Sequence, residues 1–392
     1  MRKITTILFS LFISISMIAQ SKSPYISKVY DYRPAPGQFV NMLPQYESGD
    51  TQEDMNRKAE EAISGENKGL ISLGAYGGYV IFGFDHPIVN VPDSSDFKIW
   101  GNAVLSASGD SRDGGSCEPG IVMVSYDANG NGLPDDEWYE LAGSEYHKPE
   151  TIKNYQLTYF KPDENKEKVP MPGYAYIDDM TYVKWESNRS DSGYVYHNTF
   201  HAQPYYPQWI TDETLTFEGT KLADNYLDES GNGSYYVQYA YPWGYADNYP
   251  NTDDRSNFDI DWAVDAGGNP VHLPAIQFVK VYTGVNQYCG WQGETSTEVM
   301  GAVDLHPDAS LMAGISNINA DNQTIRLLKN PVKDLLVIES PKQQIIGIYN
   351  LSGQKIRTKQ LSEGINNLNC NDLSKGFYII VSDNKTIKFM KL

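Results

Sequence analysis

Between residues 79 and 284 the chain reads as short apolar or alternating runs set apart by Gly, Pro, Asn and Asp, which is the pattern of strands joined by turns. The runs are Tyr79–Asp85 (YVIFGFD), Asp96–Gly101 (DFKIWG), Gly120–Asp127 (GIVMVSYD), Tyr155–Phe160 (YQLTYF), Ser234–Tyr241 (SYYVQYAY) and Ile276–Gly284 (IQFVKVYTG). One stretch departs from this rhythm. Thr51-Gln52-Glu53-Asp54 offers a capping pattern ahead of Met55, Ala59, Ala62 and Ile63, which share one helical face, and Gly65 provides the stop. The expectation is an all-β body with a single helix, built as a β-sandwich or jelly roll.

A second set of alternating runs begins at Asn330-Pro331: NPVKDLLVIES, IIGIYNLSGQKI and LSKGFYIIVSDNKTIKFMKL, broken by Gly353 and Gly376. These predict a small immunoglobulin-like β-sandwich of its own. Charge divides the chain at the same place. Residues 323–392 hold eleven Lys or Arg against five Asp or Glu, whereas the other residues hold 20 against 45, within a net charge of -19. Residues 308–323 (DASLMAGISNINADNQ) read as a linker. The expected organisation is therefore a leader over 1–20, a body over 21–307, the linker, and a terminal domain over 324–392.

The leader follows from Arg2 and Lys3, the apolar stretch Ile4–Ile18 and the small residue Ala19, which together form a secretory signal peptide cut after Ala19 or Gln20. No other segment approaches the ~20 apolar residues of a membrane span. Cys370 belongs to the terminal domain, which leaves Cys117 and Cys289 in the body either bridged, as an oxidising compartment permits, or as two buried thiols. The 29 Tyr, 33 Gly and 21 Pro suit a loop-rich extracellular β protein. The negative charge opposes nucleic acid as a partner, because phosphates are repelled.

Spacing points to calcium in DANGNGLPDDEW. Asp127, Asn129 and Asn131 occupy alternate loop positions, Gly132 permits the sharp turn, the Leu133 carbonyl follows, and Asp135, Asp136 or Glu137 would supply late carboxylates. Trp138 stands where a helical calcium hand would place its last Glu, so the expected site is a strand-to-strand loop with a structural ion; the alternative is a plain hairpin turn. His197 and His201 have helical ligand spacing, but Gly, Pro and aromatic neighbours favour histidines packed on tyrosine. No segment carries a nucleophile elbow, a zinc-protease helix or a phosphate loop, and no carboxylate pair is singled out for glycoside hydrolysis.

The stretch 172–250 is rich in tyrosine and tryptophan, rings that suit flat and partly polar ligands. Tyr205, Tyr206, Trp209, Trp243 and Tyr245 are the expected ligand-binding residues, with Trp243–Asp254 (WGYADNYPNTDD) expected to be exposed. The alternative location is the region of Glu118, Trp291 and Glu298.

The terminal landmarks, Asn330-Pro331, IYNLSGQKI, LSKGFYIIV and KFMKL, resemble the C-terminal sorting domain of cargo exported by the type IX secretion system of Bacteroidetes-type bacteria. This implies a secreted or cell-surface protein with that machinery as a partner. In the body, ISLGAYGGYVIFGFDHPIVNVPDSSDFKIWGNAV, CEPGIVMVSYDANGNGLPDDEWYELAGSE, and AIQFVKVYTGV before TEVMGAVDL resemble the galactose-binding-like jelly roll of secreted bacterial surface proteins. The likeness spans about residues 25–307, with about 165–250 as a Tyr-rich insertion. Within that group the text is most similar to Bacteroidetes surface proteins found beside outer-membrane cobalamin uptake systems. The resemblance implies a non-enzymatic protein that captures a small molecule, a corrinoid in the first place, with an outer-membrane receptor as a further partner. A glycan-binding module, a carbohydrate-active enzyme and a structural adhesin are the alternatives.

Overall fold

The structure, a computed structural model, describes residues 22–66, 69–106, 112–307, 325–327, 332–350, 354–382 and 386–391. The expected signal peptide and linker lie outside the described residues, as do Asn330, Pro331 and Gly353. The chain divides into two compact units, Met1–Met312 and Ala313–Leu392.

In the first unit the strands that matter here are β1 (Lys28–Arg33), β2 (Tyr79–Val89), β3 (Gly120–Ser125), β4 (Trp138–Leu141), β5 (Ile152–Phe160), β6 (Ile177–Ser187), β7 (Ser192–Asn198), β8 (Thr214–Lys221), β9 (Ala263–Val264) and β10 (Ala275–Thr283). They form a six-stranded sheet in the order β1-β2-β10-β3-β4-β9 and a four-stranded sheet in the order β7-β6-β5-β8. All these pairings are antiparallel. The alternation in YVIFGFD sends Val80, Phe82 and Phe84 inward, where they meet Val122, Val124, Val279 and Val281 from the neighbouring strands. Facing them across the core are Phe97, Ile99, Phe258 and Ala302 from a small three-stranded sheet. The result is sheet packed on sheet, each with one apolar face.

The one long helix among the described residues, α1 (Gln52–Ile63), forms where its capping pattern places it. Thr51 Oγ1 accepts from the Asp54 amide while the Asp54 carboxylate accepts from the Thr51 amide, so two amides without helical partners are satisfied reciprocally. Met55, Ala59 and Ile63 are fully buried against the six-stranded sheet's core, which is why so short a helix is stable. Gly65 closes the element at a φ of 72°, a left-handed turn that most side chains resist.

The four-stranded sheet has a core of its own, made from Tyr155, Leu157, Tyr159, Tyr182, Tyr205 and Phe217. It begins at Ile152, ahead of the insertion boundary expected near 165. In the second unit, Leu336, Ile338, Ile346, Ile348, Ile380 and Phe389 alternate inward from antiparallel strands and build a separate all-β core. The LSKGFYIIV run supplies Leu373, Tyr378 and Ile380 to it, with the Tyr378 ring stacked on Phe389 at 5.5 Å.

Candidate functional site

The register of the six-stranded sheet places Ile81 (β2), Lys280 (β10), Met123 (β3), Glu140 (β4) and Val264 (β9) side by side in one row across five strands. The row lies on the face turned away from the main core and floors a cleft of about 700 Å³. Trp138 and Tyr282 extend the floor, while Tyr146, Lys153 and Thr220 form the walls. A cleft of this size is within the range of small-molecule sites.

Polar groups in the cleft are fixed by one another. Thr220 Oγ1 donates to Glu140 Oε2 at 2.6 Å, and Lys153 Nζ donates to Glu140 Oε1 at 3.4 Å and to Thr220 Oγ1 at 3.2 Å. The same ammonium lies 3.0 Å from the Tyr146 ring centre, and the Thr220 amide donates to the Tyr282 hydroxyl at 2.9 Å. Burial raises the pKa of Glu140 despite the pull of Lys153 and Thr220, and burial lowers that of Lys153. Lys280 is held 4.2 Å over the Tyr79 ring, and burial lowers its pKa against the weaker influence of Asp31. The cleft thus presents flat apolar rings beside a small set of oriented donors and acceptors, which suits a polar ligand with a flat face.

Sequence reasoning did not select these residues. The one legible signal was Lys280, a lone charge inside the apolar run IQFVKVYTG. The five residues of the expected aromatic face are placed as follows. Tyr205, Tyr206 and Tyr245 are 0%, 3% and 2% exposed, so their rings are core. Tyr205 and Tyr206 pack under the four-stranded sheet, and Trp209 is half-buried, stacked on Tyr32 and Tyr46 with its indole N–H donating to Gln52. Of the five only Trp243 is exposed, leaning on Trp262 at 4.7 Å between ring centres. Two physical causes explain the difference. A sheet with few aliphatic residues must fill its interior with tyrosine, and the hydroxyls of Tyr155, Tyr159, Tyr182, Tyr205 and Tyr206 find partners, as Tyr206 does with the Asp212 carbonyl at 2.8 Å. The segment Trp243–Asp254 is drawn inward by Asp247, whose carboxylate accepts from the amides of Asn102, Ala103 and Glu298.

The alternative region is also a real convergence. Glu118 and Glu298 meet Asp247, one carboxylate oxygen of each lying within 4.8 Å of the others. Burial, followed by mutual repulsion, pushes Asp247 and Glu298 well above the usual carboxylate range, and burial pushes Glu118 up to about 7. Ser296 Oγ donates to Glu298 Oε1 at 2.8 Å. Trp291 is exposed.

In the loop between β3 and β4, Asp127 accepts from the amides of Asn131 and Gly132, at 3.1 and 3.0 Å. The side-chain amides of Asn129 and Asn131 donate to Asp135, Asn131 Oδ1 accepts from the Leu133 amide, and Asp136 accepts from the Ala128 amide. The turn is thus satisfied by hydrogen bonds within the loop. His197 sits in β7, its Nδ1 2.6 Å from Asp178 and its ring between Tyr182 and Tyr205, while His201 meets Phe39 edge-on. Cys117 and Cys289 are free and buried, and burial pushes each thiol up to about 12.

Residues 330–392 match the family described as the secretion system C-terminal sorting domain. No curated protein matches the chain. The matched domain makes the protein a type IX secretion cargo, exported to the cell surface or the extracellular space, with that machinery as its partner. Among the described residues no helix is long and apolar enough to cross a membrane.

Proposed function

We propose that this exported protein is a surface binding protein, without catalytic activity of its own, that captures a small polar molecule on the outer face of its six-stranded sheet. The observation that carries the reading is the cleft of about 700 Å³, where the half-buried rings of Trp138 and Tyr146 stand beside Lys280, Lys153 and Glu140. Rings at fixed separation accept flat ligand faces with little loss of side-chain freedom, and the Lys and Glu orient polar substituents. A corrinoid is the first ligand class, by the body's resemblance to surface proteins beside cobalamin uptake systems, and an outer-membrane receptor is then the partner that takes it onward. A glycan is the second, favoured by the mixture of rings with hydrogen-bonding groups in the cleft. The body is read as a galactose-binding-like jelly roll and the terminal unit as immunoglobulin-like, with one structural Ca²⁺ in the Asp127–Asp136 loop.

Calorimetric titration of the full chain with cyanocobalamin and with a panel of soluble glycans tests the proposal. One of them is expected to bind saturably, and Trp138→Ala is expected to weaken it by about 1 to 3 kcal/mol, the loss usual for a central aromatic anchor. Wild-type affinity in Trp138→Ala would move the site elsewhere, and silence toward the whole panel would favour the adhesin.

A further inference from the structure

A second, smaller pocket of about 260 Å³ lies apart from the cleft and shares no lining residue with it. Its walls include Tyr76, Trp185, Tyr194, Tyr196 and Tyr288, with Glu294 among them, and no lysine, arginine or histidine lines it. Glu294 is 5% exposed. Its Oε1 accepts from the Gln38 amide at 2.6 Å, but its Oε2 is buried without a hydrogen-bond partner. The Tyr288 hydroxyl, in the same pocket, is equally buried and equally without one. Native interiors seldom leave such atoms unmatched, so two in one pocket mark a place where a ligand's polar group completes the bonding.

We propose that this pocket binds a small organic cation, an ammonium-bearing molecule, with the aromatic walls facing its charge and Glu294 Oε2 as the counter-ion. Ring faces attract cations strongly once water is removed, and a buried carboxylate is stable as an anion only beside a positive partner. In the free protein burial pushes Glu294 up to about 8, with Glu118 adding to the effect, so at neutral pH the carboxyl is mostly protonated and cation binding releases a proton. The titratable groups that sense Glu294 are Glu118, Tyr159, Tyr205, Tyr288 and Cys289, and all four of the others besides Glu118 remain neutral at that pH because burial raises them.

The test is calorimetry of the full chain near pH 7 with methylammonium, tetramethylammonium and choline, and with 3,3-dimethylbutan-1-ol, the uncharged carbon isostere of choline. At least one cation is expected to bind, the isostere about tenfold or more weakly than choline where choline is the cation, with proton release seen as a dependence of the heat on buffer ionisation. Glu294→Gln and, separately, Tyr196→Leu are each expected to reduce cation affinity by about tenfold, while Trp138→Ala in the cleft leaves it unchanged. Tyr196 is only half-buried, so its variant keeps the test open should Glu294→Gln fail to fold. Silence toward all three cations, equal binding of choline and its isostere, or undiminished binding in both pocket variants would overturn the proposal.

Discussion

Tyr245→Ala separates a core tyrosine from an exposed loop ring. The ring is 2% exposed and lies against Gly143, where an added Cβ would come within 2.7 Å of it. It is 5.5 Å from the Tyr241 ring, and its hydroxyl accepts from the Glu145 amide at 3.0 Å. Truncation removes a fully buried aromatic and leaves a cavity, a loss of about 3 to 5 kcal/mol, with about 1 kcal/mol more for the stranded Glu145 amide. Trp243→Ala, two residues away, is the control. Its ring is 38% exposed, so losing the Trp262 contact is worth about 1 kcal/mol. Tryptophan fluorescence during guanidinium unfolding is the suitable assay, because all seven tryptophans precede residue 313 and the signal reports the first unit alone. A Tyr245→Ala midpoint within about 0.5 kcal/mol of wild type would show that the segment is not packed as described.

Three further outcomes are expected. Glu294 titrates at about 8 in the folded chain against a usual 4.5, so the folded state holds the extra proton and stability falls as pH rises through that window; unfolding midpoints at about pH 5 and about pH 9 should differ less in Glu294→Gln than in wild type, and an unchanged difference would refute the assignment. Asp127→Ala should lower the melting temperature more in calcium than in chelator, where only the turn's hydrogen bonds are lost, about 1 kcal/mol; equal losses would mean a turn without metal. Deleting residues 323–392 should leave the first unit folded by circular dichroism but absent from the cell surface of a native type IX secreting host, and surface display of the truncated chain would contradict the sorting role.

What could be read in advance was local. The helix announced itself through Thr51, Asp54 and the spacing of Met55, Ala59 and Ile63, and the terminal unit through landmarks that alternate inward as strands must. The cleft could not be read because its floor depends on register. Ile81, Met123, Glu140, Val264 and Lys280 are scattered over 200 positions and become neighbours only when five strands pair. The tyrosines misled for a related reason. Pro, Asn and Asp around Trp243 argue for exposure, yet Asp247 spends its carboxylate on three distant amides and carries Tyr245 and Tyr249 inside. A polar residue that anchors a buried loop looks, in one sequence, like a polar residue facing water.

The central claim is that a small molecule occupies the face of the six-stranded sheet, and ligand-dependent hydrogen exchange of the full chain addresses it most directly. With a saturating corrinoid or glycan that binds, amides of 138–154, 218–220 and 264–268 should gain protection while those of 192–196 and 285–295 stay as they were, since only the first set lines the cleft. Protection confined to the second set, or to neither, would contradict the account.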